Sequence, residues 1–332
     1  MKYFPLIALL LLLACKNTKP MEEQEKSPIE RLDPALDAII SGDFEMKVIA
    51  TGYDWSEGPL WLPNQNMLIF SDVPKNTIYK WTEEKGAEIY LTPSGYMGKD
   101  YYSKEPGSNG LVLDNQGSLV LCQHGERRMA RMQAPLDAPK PDFVAVADRY
   151  DGKKFNSPND ACYDSKGNLY FTDPPYGLPQ YIDDPTKEIP FQGVYKVAPD
   201  GKVTLLIDSI TRPNGIALSP DEKYSYVANS DPEKAIWYRY ELGEDSLLSG
   251  GVFYDATPMV GQGKGVPDGM KIDRNGNIIA TGPGGIFIIN PMGKLLGRIR
   301  FEEATSNCAL ADDDKTLYVT NDMNVVRIKL RK

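Results

Sequence analysis

Six stretches of this chain share one pattern, and that repeat limits the fold more than any other feature. They are "SEGPLWLPNQNMLIFSD" from Ser56, "SNGLVLDNQGSLVLCQH" from Ser108, "PNDACYDSKGNLYFTD" from Pro158, "PNGIALSPDEKYSYVAN" from Pro213, "PDGMKIDRNGNIIATG" from Pro267 and "SNCALADDDKTLYVTND" from Ser306. Each opens on Ser or Pro followed by an acid or amide: Glu57, Asn109, Asn159, Asn214, Asp268 and Asn307, at spacings of 52, 50, 55, 54 and 39 residues. An apolar run, a turn and a second apolar run follow, which is the form of a β-hairpin. The turn carries Asp five places after the opening acid or amide in four copies (Asp114, Asp164, Asp273, Asp312) and Gly eight places after it in three (Gly117, Gly167, Gly276). Glycine there supplies the positive φ of a tight turn.

Further strand-like runs, such as "NTIYKW", "AIWYRYEL" and "VVRIKL", follow most hairpins, and no long amphipathic helix follows the first residues. Units of about fifty residues with roughly four strands are blades of a propeller rather than solenoid coils or sandwich strands. The pattern therefore predicts an all-β chain with one six-bladed β-propeller over residues 42–332. Only 25 residues follow Asn307, too few for a whole blade. A strand from the other end, "FEMKVIA" at 44–50, is expected to close the ring.

The first strand of each propeller blade lines the central channel, so the six opening residues fall in a ring at one end of it. All six offer oxygen and none offers sulfur or imidazole, which suits a hard divalent cation: Ca²⁺ first, with Zn²⁺, Mg²⁺ and Mn²⁺ as alternatives. Asn or Asp before Gly often only stabilises a turn through its own backbone. Six copies in one register point instead to a central metal site. Glu57 is the most informative of them, because Glu is a poor turn former, and Glu57 and Asp268 together bring two negative charges. Three or four protein ligands would leave positions open for water or substrate, which is the arrangement of Lewis-acid catalysis.

The N-terminus, "MKYFPLIALLLLLAC", has a lysine and then an apolar run too short to span a bilayer, ending on small residues and a cysteine. It is expected to be a lipoprotein signal peptide over 1–14, with Cys15 the lipidated first residue of the mature chain. Residues 15–41, polar and charged as far as Pro34, are expected to form a flexible tether. The protein would then sit outside the cytoplasm, periplasmic or on the cell surface, touching the membrane only through the Cys15 lipid. The net charge of −9 argues against nucleic acid as a partner. Cys122, Cys162 and Cys308 lie in apolar strand-like runs and read as buried thiols, with no spacing for a zinc site. A monomer is expected.

Several ordered stretches, "EGPLW", "NSPNDACYDSKGNLYFTDPPYG", "RPNGIALSPDEK", "PDGMKID" and "GKLLGRI", resemble the family of regucalcin (senescence marker protein) and the gluconolactonases, from about Tyr53 to Asp322. "CQHGERR" and "TDPPYG" look most like its bacterial gluconolactonase-like branch. The resemblance implies a six-bladed propeller with one divalent metal held by Glu57, Asn214 and Asp268, and with Asn159 beside it, touching bound water or substrate. The animal branch carries an arginine two places before the residue matching Asn159. Ser157 stands there in this chain, so that substrate contact is missing.

His124 is the only histidine and follows the second strand of the second hairpin, at the ring's end of the blade. Asp72, Asp173 and Asn229 are its counterparts. It is a candidate base or proton shuttle, or an orienting group. The loop "TDPPYGL" at the same end could wall the site. The expected reaction is hydrolysis of a small-molecule sugar lactone by a carboxylic ester hydrolase, with Asp268 or His124 taking the proton of water and Asn159 assisting. No G-x-S-x-G is present to supply a serine nucleophile. A phosphotriesterase-like activity at the same site is the alternative within the fold, and a non-catalytic, metal-stabilised binding lipoprotein is the alternative outside it.

Overall fold

Asp114 Oδ1 accepts the N–H groups of Gln116 and Ser118 at 2.9 and 2.8 Å, and Gly117 follows with φ 80°. Asp164 and Asp273 repeat this turn two residues and four residues on, with Gly167 and Gly276 at φ 85° and 82°. Carboxylate and glycine together close each hairpin without strain, and the repeat is therefore a set of hairpins as expected.

The computed structural model describes residue 1 and residues 27–331. The expected signal peptide and Cys15 lie outside the described residues. The strands form a six-bladed β-propeller of antiparallel sheets. Blade 1 runs from Ser56–Leu62 at the channel to Gly86–Leu91 at the rim, blade 2 from Ser108–Leu113 to Phe143–Ala147, and blade 3 from Ala161–Tyr163 to Val203–Ile207. Blade 4 runs from Pro213–Leu218 to Leu247–Asp255, blade 5 from Met270–Ile272 to Leu295–Arg300, and blade 6 from Thr305–Ala311 to Asn324–Lys329.

Glu45–Thr51 pairs with Asn324–Lys329 as the outermost strand of blade 6, so the N-terminal segment closes the ring as expected. The two ends of the ring are thereby joined within one blade. Apolar residues fill the wedge between each pair of neighbouring blades. Leu62, Ile69, Leu111 and Leu121 join blades 1 and 2, whereas Tyr53, Phe70, Tyr318 and Val325 join blade 6 back to blade 1. Cys122, Cys162 and Cys308 are free thiols.

Residues 27–41, expected to belong to a flexible tether, are instead docked on the propeller. Ile29–Arg31 adds a fifth strand to blade 5, pairing Ile29 with Ile299 and Arg31 with Gly297. Glu30 forms ion pairs with Arg298 and Arg300. Leu36, Ile39 and Ile40 are buried in the apolar cluster between blades 5 and 6. The segment reads as polar on average, but four buried aliphatic side chains, Ile29, Leu36, Ile39 and Ile40, are enough to dock it.

Candidate functional site

Neighbouring blades approach most closely where their first strands meet at the channel, and this explains the acid-or-amide-then-glycine pattern. A Cβ at Gly110 would lie 2.7 Å from the carbonyl oxygen of Asn159, and one at Gly215 would lie 2.3 Å from that of Asp268. No side chain fits at either place, so in four of the six blades the ring residue is followed by bare backbone that packs on the next blade. Hydroxyls on the second strands then tie the ring together. Ser71 Oγ donates to Asn109 O at 2.9 Å, Thr172 Oγ1 to Asn214 O at 2.6 Å and Ser230 Oγ to Pro267 O at 2.5 Å. With their backbones held, the ring side chains project toward the channel mouth.

Two blades depart from the pattern: Cys308 follows Asn307 in blade 6, and blade 3 places Asp160 where glycine stands in the other four. The buried Asp160 carboxylate lies 3.4 Å from Asn307 Nδ2, and Lys271 Nζ lies 3.4 Å from Asn307 Oδ1. Asn307 is therefore engaged by a buried acid and a lysine as well as by Glu57. It is the one ring residue that does not line the pocket at the mouth.

That pocket encloses about 270 Å³ and is lined by Glu57, Asn109, Asn159, Asn214, Asp268 and Glu105. The polar group is flanked by Trp55, Tyr176 and Arg212. Asn109 Oδ1, Asn214 Oδ1 and Asp268 Oδ1 are buried there without a hydrogen-bond partner. Asn214 cannot turn its oxygen away, because its Nδ2 donates to Ser230 Oγ at 2.9 Å. Each unpaired buried oxygen costs about 1–3 kcal/mol, so three in one pocket suit a cation or a hydrogen-bond donor.

The carboxyls show the same deficit of positive charge. Burial pushes Glu57 up to about 8, the neighbouring Asp160 and Glu105 add to the rise, and the Gly58 N–H opposes it at 2.8 Å. Asp268 is also pushed well above the ordinary carboxylate range, by burial first and by Glu57 and Asp160 next. Among the described residues, no group of three or more His, Cys, Asp or Glu could hold a metal. A cation here would depend on amide oxygens as well as carboxylates, a donor set that fits a hard divalent ion.

Other expected residues take different places. Asp72, Asp173 and Asn229 hold backbone leading into their blades: Asp173 accepts the N–H groups of Asn156 and Ser157, each at 2.8 Å, and Asn229 accepts that of Arg212 at 2.9 Å. His124 is not their equivalent. Gln123, opposite Ser108, takes that register and bonds Ser94 O at 2.8 Å. His124, one residue on, is fully buried behind Glu105 and does not line the pocket.

Ser157 is bound to the "TDPPYGL" loop. Its Oγ donates to Pro174 O at 2.6 Å and accepts the Gly177 N–H at 2.9 Å. Tyr176 of the same loop lines the pocket, so the loop does wall the site. The cationic group is Arg212, two places before Asn214. Its position in blade 4 is the one Ser157 occupies in blade 3, so the repeat alone could have identified it. Glu105 carries no such signal, because it lies in an irregular loop ahead of the repeat.

Comparison with known proteins places this geometry. The SMP-30/gluconolactonase/LRE-like region matches residues 55–322. A gluconolactonase of Zymomonas mobilis is 39% identical over 96% of this chain and 90% of its own length. A gluconolactonase structure from Xanthomonas campestris superposes with a TM-score of 0.78 at 27% identity, covering 92% of this chain and 96% of that one. A calcium-binding regucalcin from Agrobacterium tumefaciens shares the fold, with a TM-score of 0.65 at 17% identity over 87% of this chain and 96% of that one.

Proposed function

The chain belongs to the SMP-30/gluconolactonase/LRE-like family, and on that premise we propose that it hydrolyses a sugar lactone in the pocket at the channel mouth. The observation that carries this reading is the trio of unpartnered oxygens on Asn109, Asn214 and Asp268 beside the Glu57 carboxylate. Glu57, Asn214 and Asp268 would hold one divalent cation, with Ca²⁺ the first expectation. When bound, the cation would supply charge compensation and Lewis-acid polarisation of an ester carbonyl.

The remaining residues bind and orient the substrate. Asn159 lines the pocket with a side chain that makes no hydrogen bond among the described residues, leaving its amide free for substrate or water. Trp55 and Tyr176 offer apolar faces to a sugar ring, and the Arg212 guanidinium, which forms no ion pair among the described residues, offers donors to hydroxyls or to the product carboxylate. Of the two expected bases, only Asp268 lines the pocket, and a carboxylate committed to a cation is a weak one.

Parallel assays on gluconolactone and on an aryl phosphotriester test the reading. It requires lactone turnover well above phosphotriester turnover, and the reverse order would establish the phosphotriesterase alternative. We also propose that the mature chain is anchored outside the cytoplasm through Cys15.

A further inference from the structure

We propose that Glu105 is the catalytic proton-transfer residue of this pocket and that His124 is its positioning residue, an assignment that rests on the lactone-hydrolase reading. Three carboxylates line the pocket: Glu57, Asp268 and Glu105. The first two belong to the ring and face the proposed cation. Glu105 comes from the loop ahead of blade 2, and among the described residues its carboxylate accepts no hydrogen bond. Its side chain is 26% exposed and lines the pocket.

Behind it lies the His124 imidazole, which also faces the Glu105 backbone carbonyl. His124 is fully buried and neither ring nitrogen has a close partner. Among the described residues its ion-pair partner is Glu105, with Oε2 at 3.8 Å from Nδ1, longer than a hydrogen bond. Free-enzyme contacts of this kind commonly tighten only when substrate is bound. The pair is held in register by backbone, because the His124 N–H donates to Gly107 O and the Gly125 N–H to Pro106 O, both at 3.2 Å. Gly177 seals the far side, where a Cβ would come within 2.5 Å of His124 Cβ. The charged and titratable groups facing Glu105 are His124, Glu57, Asp268, Tyr176 and Tyr181. Burial keeps the imidazole neutral, so it can donate one N–H toward the carboxylate without competing for the proton.

In the proposed step, Glu105 takes one proton from water as the water oxygen bonds to the lactone carbonyl carbon. The same proton passes to the ring oxygen as the ester C–O bond breaks. Glu105 returns to a carboxylate, and the hydroxy acid product loses its own proton to solvent.

The test uses the full chain, with lactone turnover and bound Ca²⁺ measured on the same samples. Glu105→Gln should lower kcat by about 100-fold or more, the range for a lost general base, with Ca²⁺ stoichiometry unchanged. In Glu105→Ala, added formate should restore part of the rate. His124→Asn should lower kcat about tenfold with KM unchanged, and should cost nothing further in the Glu105→Gln background, as expected of groups acting as one unit. A Glu105→Gln protein that keeps its Ca²⁺ and turns over within threefold of the parent overturns the assignment, as does a Glu105→Ala protein that formate does not rescue. His124→Asn losses that simply add to those of Glu105→Gln overturn the positioning role. A parent protein that hydrolyses no lactone overturns the functional reading itself, and this proposal with it.

Discussion

Thr172 Oγ1 donates to the backbone carbonyl of Asn214 at 2.6 Å, across the boundary between blades 3 and 4. One hydroxyl thus joins two blades and fixes the backbone of a proposed cation ligand. Thr172→Val keeps the shape and leaves a buried carbonyl unpaired, at a cost of about 1–3 kcal/mol. Thermal unfolding should show that loss, and calcium titration should show weaker binding than in the parent. An unchanged calcium affinity would mean that the tie serves the fold alone.

Stability should depend on pH more steeply without the cation than with it. Glu57 is raised from 4.5 to about 8 and Glu105 to about 7, so their contributions are complete below the unfolded value and are lost as pH rises through the folded one. His124 is lowered from 6.5 to about 4, so its contribution is complete above 6.5 and is lost as pH falls toward about 4. Above pH 6.5 only the carboxyls act. Chelated protein should therefore lose melting temperature from about pH 6.5 to 8.5. Saturating Ca²⁺, which favours the ionised carboxylates, should flatten that loss. Identical slopes in the two conditions would contradict the prediction.

The N-terminal segment should matter in stages. Removing residues up to 26 should leave the melting temperature unchanged. Removal up to 41 should lower it substantially, because Leu36 and Ile40 are fully buried and each contributes about 1.5–3 kcal/mol. Calorimetry on the two truncations separates this docking from a tether that ends only at residue 41.

Much of the fold was legible because its signals are local and repeated. The Asp-and-glycine turns at Asp114, Asp164 and Asp273 are read from a few consecutive residues, and the shortage of chain after Asn307 implies the closing strand. The ring residues were legible for the same reason, since one register carries Glu57, Asn109, Asn159, Asn214 and Asp268 to one pocket. Departures arise where a neighbour outside the repeat decides. Asn307 is drawn away by Asp160 and Lys271, and His124 is displaced by Gln123. Glu105 comes from a loop with no counterpart in other blades. The docking of Ile29 and Leu36 depends on a cluster between blades 5 and 6 that the composition of the segment does not reveal.

Anchoring through Cys15 predicts that labelled fatty acid enters the expressed protein and that the protein fractionates with membranes. Cys15→Ala should lose both the label and the membrane association. Label retained in that variant would locate the lipid elsewhere.

The central claim is that Glu57, Asn214 and Asp268 share a divalent cation needed for lactone hydrolysis. The most direct measurement follows metal content and lactone turnover together during chelation and re-addition of Ca²⁺, in the parent and in Asp268→Ala. The parent should lose metal and activity in proportion and recover both, whereas Asp268→Ala should stay folded, bind little metal and show little turnover at any calcium concentration. Undiminished turnover in a parent sample shown to be free of metal would contradict the account.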